Sequence, residues 1–150
     1  LGLSEEQVGY FLSFTSLVAV GAAALMPRAA RKLGEHGTLA FAFMFYGLAH
    51  VAFATAEGLT LMIEGGICLG LGFGFSIPLV NHMTIERSRV QRARNLAYLS
   101  MAIFGGQFLS SFMEFLPGGQ SLMFACAAVI CFLAATAAML QRRYRAASNT

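Results

Sequence analysis

The chain contains no aspartate and no tryptophan, and only 11% of its 150 residues are charged. Soluble domains average about 25% charged residues. So sparse a set cannot cover a water-facing surface, and with 57% hydrophobic residues and a mean hydropathy of +0.68 the composition points to a polytopic membrane protein. Without aspartate there is no Ser–His–Asp set. HExxH and a Cys–His set at matching depth are absent too, so the chain does not read as an intramembrane enzyme. No GxxxxGK[ST] loop is present, so the sequence carries no sign of nucleotide-driven activity. The three cysteines, Cys68, Cys126 and Cys131, all fall inside apolar runs. Cys126 and Cys131 stand about 140° apart around a helix, and all three read as small buried hydrophobes. No metal-ligand spacing occurs and no cofactor is implied. No signal peptide is visible, and no basic patch is interleaved with a soluble module, so no nucleic-acid partner is expected. The first residue is Leu1 rather than Met, from which a longer parent chain is expected.

What is present is five apolar segments, at about 8–27, 38–56, 59–83, 96–115 and 121–140. Each is near the roughly 20 residues that cross a bilayer. Alternation of period two is absent, which excludes a barrel and leaves helices. The connections alternate in charge. Leu1–Gln7 carries Glu5 and Glu6. Arg28–Gly37 carries Arg28, Arg31 and Lys32. A tight turn at Glu57 and Gly58 is followed by a loop with Arg87, Arg89, Arg92 and Arg94, then by a neutral turn at Leu116–Gly119. The tail, residues 142–150, carries Arg142, Arg143 and Arg145. Every Lys and Arg thus falls on one side of a five-span bundle over residues 1–141. The positive-inside rule places the amino terminus outside and the carboxyl terminus inside. The expected location is a lipid bilayer, as an integral protein of a bacterial inner (plasma) membrane. Arg28–Lys32 and the cations of the tail also read as headgroup anchors.

The segment Leu59–Met83, about 25 residues with one acid and no Lys or Arg, is the organising element of this reading. Gly66, Gly70 and Gly74 recur every four residues and share a helix face, which allows a neighbouring backbone to come close. Pro78 removes a backbone donor, so a kink or loosened turn is expected there. Asn81 is a candidate cap or gate, and His82 and Glu86, four apart, are expected to form a surface pair.

Two polar constellations lie within the spans. Ser100, Phe104, Gln107 and Ser111 are spaced i, i+4, i+7, i+11 on one face of the fourth segment. Gln107 is near mid-membrane, where an unpaired amide is costly. The stripe reads either as interhelical hydrogen bonding or as a substrate-facing surface. Ser13 and Ser16 form a smaller pair of the same kind on the first segment. His50 and Glu64 each lie seven residues from Glu57, so a hairpin sets both roughly 10 Å below its turn. Intramembrane ionisable groups are functional candidates. These two read as a proton-coupling pair, as a structural pair, or as residues that do not meet.

In order and spacing the chain resembles the major facilitator superfamily. LGLSEEQVGYFLSFTSL is similar to the outer loop and even-numbered helix of a six-helix half. MPRAARKLGEHGTLAFA resembles the loop between the second and third, or eighth and ninth, helices. GICLGLGFGFSIPLVN with ERSRVQRARNLA resembles the fourth or tenth helix and its loop, and IFGGQFLSS the eleventh helix of efflux-type members. In the first of these loops Arg31, Lys32 and Gly34 match the family's gating pattern, but its acid is missing and Glu35 stands where a base is usual. No Arg precedes Gly70 within its own segment, and no Gly-Pro pair marks the fourth segment. These departures resemble the family's second half, from its eighth to twelfth helices. The resemblance implies a five-helix part of a secondary transporter whose amino-terminal helices precede Leu1. It also implies a small-molecule substrate, ion-coupled efflux with the proton as candidate ion, and a cavity faced by the Gln107 stripe. Gly66, Gly70, Gly74, Pro78 and Asn81 then serve gating or helix packing. The competing reading is a non-transporting scaffold or helix-packing subunit that assembles through the glycine face.

Overall fold

A computed structural model describes residues 4–88, 90–115 and 117–148. Leu1, Gly2, Leu3, Arg89, Leu116, Asn149 and Thr150, which belong to the outer loop, basic loop, neutral turn and tail read above, lie outside the described residues, as does the side chain of Arg145. Among the described residues every regular element is helical: α1 (Glu5–Thr55), α2 (Leu59–Arg87), α3 (Arg92–Ser110), a 3-10 turn (Ser111–Phe115) and α4 (Gly119–Ser148). All four α-helices are long and apolar enough to cross a membrane.

At 51 residues α1 would measure about 76 Å if straight, more than twice the roughly 30 Å of bilayer hydrocarbon. It is not straight. Gly34 leaves helical geometry, with φ 74° and ψ 166°, a conformation open to glycine because it lacks Cβ. Phe11 and Phe53, near opposite ends of α1, have ring centroids 6.2 Å apart. The helix therefore folds back on itself as two arms, residues 5–33 and 35–55. The connection expected over Arg28–Gly37 shrinks to this one residue: Arg28–Leu33 are good helix formers and continue the first arm, and the second arm resumes at once from Glu35. The Thr38 hydroxyl donates to the Gly34 carbonyl at 2.9 Å and secures the break. At the start of α1, Ser4 and Gln7 close a reciprocal capping box, with Glu5 and Glu6 in the first turn.

The helix α2 packs against both arms. Its Gly66, Gly70 and Gly74 meet Phe11, Thr15 and Ala19 in turn, so it runs parallel to the first arm. Its Gly65, Gly72 and Ser76 meet Phe53 and Tyr46 in descending order, so it runs antiparallel to the second. The helix α4 lies antiparallel on the second arm. Phe124 meets Phe53 at 5.6 Å, Phe132 covers Gly47, Arg142 reaches Gly37, and the Ser121 hydroxyl donates to the Ala54 carbonyl at 2.6 Å. The core between arms and α2 is small-residue packing around Ala22, Ala42 and Phe75, flanked by Met26, Ala29, Phe45 and Leu71. Alanine and glycine dominate this contact and let the helix backbones come close, the packing device of helices in lipid.

Several expected boundaries move. The helix α2 runs past Met83 to Arg87, and no residue in it leaves helical geometry at Pro78. Proline's φ near −65° suits a helix, and only the bond to the Gly74 carbonyl is forfeited. The helix α4 continues past Leu140 to Ser148, so the tail from Arg142 is helical rather than loose. The helix α3 begins at Arg92, before Leu96, and its α-helical part stops at Ser110 rather than Phe115. The hydroxyls of Ser110 and Ser111 both donate to the Gln107 carbonyl, at 2.7 and 3.4 Å. Serines that bond the preceding turn in this way compete with the helix ladder.

Burial is uneven. Of the most apolar stretch of α2, 44% is buried, against none of that in α3. The helix α3 is joined to α2 near the Asn95 to Ser88 side-chain hydrogen bond, 2.7 Å long, and no α3 residue is buried.

Candidate functional site

Along the seam between α2 and the first arm, glycines of α2 stand directly against backbone of the arm. A Cβ placed on Gly70 would lie 2.6 Å from the Thr15 carbonyl oxygen and 2.8 Å from Val18 Cβ. One on Gly74 would collide with the Ala19 carbonyl and with Ala22, and one on Gly66 would meet the Phe11 ring at 2.7 Å. At Gly70 and Gly74 the nearest obstacle is backbone, which cannot rotate away. Beside the seam, Thr15 is buried, and its hydroxyl donates to the Phe11 carbonyl at 3.0 Å. Ser13 and Ser16 sit on the same arm but are exposed, with hydroxyls turned onto the Gly9 and Leu12 carbonyls. Ser16 and Pro78 nevertheless border one groove of about 480 Å³, with Thr15, Gly74 and Phe73.

On the opposite face of α2, Tyr46 from the second arm shares a hydrogen bond with Ser76, Oη to Oγ 2.8 Å, and its ring covers Gly72. Tyr46, Ser76 and Thr15 are residues that the sequence reading passed over. A signal for the first was available: Tyr46 is a phenol in a run of phenylalanines, and a buried phenol needs a partner.

The Gln107 stripe is placed differently. Ser100, Phe104 and Gln107 are exposed along α3, Phe104 at 68%. The Gln107 side chain makes no hydrogen bond among the described residues, although its carbonyl accepts from two serines. Ser111 leaves the stripe, because it lies in the 3-10 turn, where the periodicity changes. There it borders a crevice of about 330 Å³ with Ser110, Gly119 and Gln120.

His50 and Glu64 are not brought together among the described residues. His50 is half-buried, its Nδ1 lies 2.6 Å from the Tyr46 carbonyl, and its ring sits between Phe53 and Phe124. Glu64 is exposed. No ion pair joins His82 to Glu86, and Asn81 is half-buried near the same end. The ion pair that does form among the described residues joins Glu35, beside the Gly34 hinge, to Arg87 at the end of α2, 2.7 Å apart and both part-exposed. His36, Arg87, Gln141 and Tyr144 border one crevice of about 650 Å³. Arg31 and Lys32 line another at the same end of the first arm. The basic segments of α1, α2 and α4 therefore converge at one end of the bundle, the end opposite Ser121 and Phe11.

Comparison of the chain with protein-family models, curated proteins and solved structures finds no match. The family resemblance therefore stands on the residues quoted for it above.

Proposed function

We propose that the chain is the helical membrane part of a secondary active transporter that moves a small molecule by alternating access. In this reading the two arms of α1 and the helices α2, α3 and α4 are five membrane spans, with the amino terminus outside and the basic end in the cytoplasm. The convergence of Arg31, Lys32, Arg87 and Arg142 at one end supports that orientation through the positive-inside rule. Coupling to an ion gradient, with the proton as candidate ion, the efflux direction and a bacterial inner membrane come from the family resemblance alone.

The observation that carries the reading is the exposure of α3. Its polar face, with Ser100 and Gln107, is exposed and finds no partner among the described residues of the bundle. An amide facing lipid without a partner is unfavourable by several kcal/mol at worst, on the order of 2–7. A water-lined cavity next to α3 removes that penalty and gives a polar substrate its contact, at the level about which transporter halves rock. The scaffold reading is favoured by the glycine seam, which needs no substrate to explain it, and it requires the α3 face to be covered by another helix.

Cysteine accessibility in liposomes separates the two. In a variant without native cysteines, Gln107→Cys is expected to react with a charged, water-soluble thiol reagent at a rate within about tenfold of Glu57→Cys. Ile67→Cys, on an apolar exposed face of α2, is expected to stay unreactive. A Gln107→Cys protein as inert as Ile67→Cys removes the cavity, and the transport reading with it.

A further inference from the structure

The basic end of the first arm carries a second feature that the transport reading does not use. Arg28, Arg31 and Lys32 lie on one face of the last turns before Gly34, and with Leu25, Ala29 and Phe75 they line a crevice of about 310 Å³. The three cations are exposed, and none forms an ion pair among the described residues. The acid nearest in sequence, Glu35, is already engaged by Arg87 at 2.7 Å.

The crevice is graded along the axis of the first arm. Gly74 of α2 lies against Ala19, Ala22 and Ala23, so Phe75 stands level with about residue 23 of the first arm. The cations lie five to nine residues further on, roughly 8–14 Å nearer the basic end. The apolar wall, exposed at Leu25 and mostly buried at Phe75, thus lies on the side away from the basic end, which is the side of the bilayer centre if the basic end meets the membrane surface. Phe75 is held in place from behind by Phe41 and Phe45, with ring centroids at 5.7 and 6.5 Å.

We propose that this crevice is a binding site for one anionic glycerophospholipid, with the phosphate on Arg28, Arg31 and Lys32 and an acyl chain along Leu25 and Phe75. Charge complementarity selects an anion, since three unopposed cations sit within two helical turns. The apolar wall selects a lipid over free phosphate, which would have no use for it. Guanidinium groups fork onto phosphate oxygens, and an ammonium adds a point charge. The inference rests on the chain lying in a membrane and is independent of transport.

The test is lipid retention by the detergent-purified full chain, read by native mass spectrometry during titration with palmitoyl-oleoyl phosphatidylglycerol or phosphatidylcholine. The unmodified protein is expected to hold one phosphatidylglycerol in preference to phosphatidylcholine. The triple variant Arg28→Gln/Arg31→Gln/Lys32→Gln should lose roughly a hundredfold in that preference, from three cations at the strength usual at an anionic surface. Arg28→Lys/Arg31→Lys should keep most of it, which separates charge loss from misfolding. Arg142→Gln/Arg143→Gln, an equal kind of loss at the other basic helix, should leave it intact. Equal retention of the two lipids by the unmodified protein overturns the proposal, as does an unaltered preference in the triple variant or an equal loss in the Arg142/Arg143 variant. Displacement of the lipid by millimolar inorganic phosphate would make this a phosphate site instead, and would also overturn it.

Discussion

Adding one methyl group to Gly70 or Gly74 tests the seam on which the bundle is built. At Gly70 the new Cβ would stand 2.6 Å from the Thr15 carbonyl oxygen, whereas ordinary contact begins near 3.4 Å. Both helices present backbone there, so the first arm has to retreat by about 0.8 Å. A gap of 0.5–1 Å forfeits a quarter to a half of each dispersion contact, and each contact is worth about 0.1–0.2 kcal/mol. Over a seam of on the order of 30 such contacts the loss is about 2 kcal/mol, inside the 1–3 kcal/mol usual for overpacking. Alanine's higher helix propensity returns at most about 1 kcal/mol. The net expectation for Gly70→Ala and Gly74→Ala is a loss of about 1–2 kcal/mol each, or roughly 3–6 °C in Tm. Gly66→Ala should fall nearer zero, because the Phe11 ring that it meets can turn aside. Gly105→Ala and Gly106→Ala have open space around the new methyl group, so they should be neutral or stabilising. The assay is thermal unfolding in detergent followed by a thiol-reactive dye. The half-buried Cys68 and Cys131 report, in a Cys126→Ser background that removes the exposed thiol. If Gly70→Ala and Gly74→Ala melt at or above the parent temperature, the seam is not the close contact described. If instead Gly106→Ala is the variant that falls, α3 is covered by a partner in the detergent-purified protein.

Other features give sharper local tests. Tyr46→Phe and Ser76→Ala should each lower stability by about 0.5–1.5 kcal/mol, and the double variant by less than the two together, because both remove one hydrogen bond; additive losses would mean that the bond is not shared. Gly34→Ala should destabilise by about 1–3 kcal/mol, because φ 74° with ψ 166° is open essentially to glycine alone, despite open space around the new methyl group; an unchanged melting temperature would mean that the arms fold back without that conformation. Glu35→Gln should change stability by less than about 1 kcal/mol, since its pair with Arg87 is part-exposed, and a larger loss in the same melting assay would give the pair a structural weight that its exposure does not predict.

Some of this arrangement is legible from residue spacing, and the rest depends on rotational phase. Gly66, Gly70 and Gly74 announce a packing face because their period belongs to one helix and needs no knowledge of the partner. The identity of the partner, with Thr15 at its centre, depends on register between helices some fifty residues apart, which no local pattern contains. His50 and Glu64 show the same limit. Equal distance from the Glu57 turn sets equal depth, but each residue step also turns the helix by about 100°. Gly65 faces Phe53 while Glu64, one step back, is exposed, and His50 turns instead to Phe124 of α4. The break in α1 illustrates a different error. Proline is the residue that sequence reasoning expects to interrupt a helix, yet both Pro27 and Pro78 lie inside helices, and the interruption falls at Gly34. Proline removes a bond but keeps a helical φ, whereas only glycine enters the positive-φ region without steric penalty.

The uneven packing connects the fold to what it can do. In lipid, apolar burial supplies no drive for helices to associate, so the quality of backbone approach decides which ones stay together. The two arms and α2 meet along glycine and alanine, with the Tyr46–Ser76 bond between them, and α4 is tied to the second arm by Ser121 and its phenylalanines. The described contacts of α3 with α2 lie at its basic end, near Asn95 and Ser88, and at its other end α3 leads into the 3-10 turn beside α4. It is therefore the α-helix least packed against its neighbours, and its polar residues Ser100 and Gln107 are exposed. A purely structural subunit gains nothing from placing Gln107 on its loosest helix unless another helix covers it. A transporter needs a polar surface on an element that can be re-exposed without breaking the rest of the bundle. The close glycine seam and the sparse packing of α3 suit the transport reading proposed above, because the remaining helices hold together without α3.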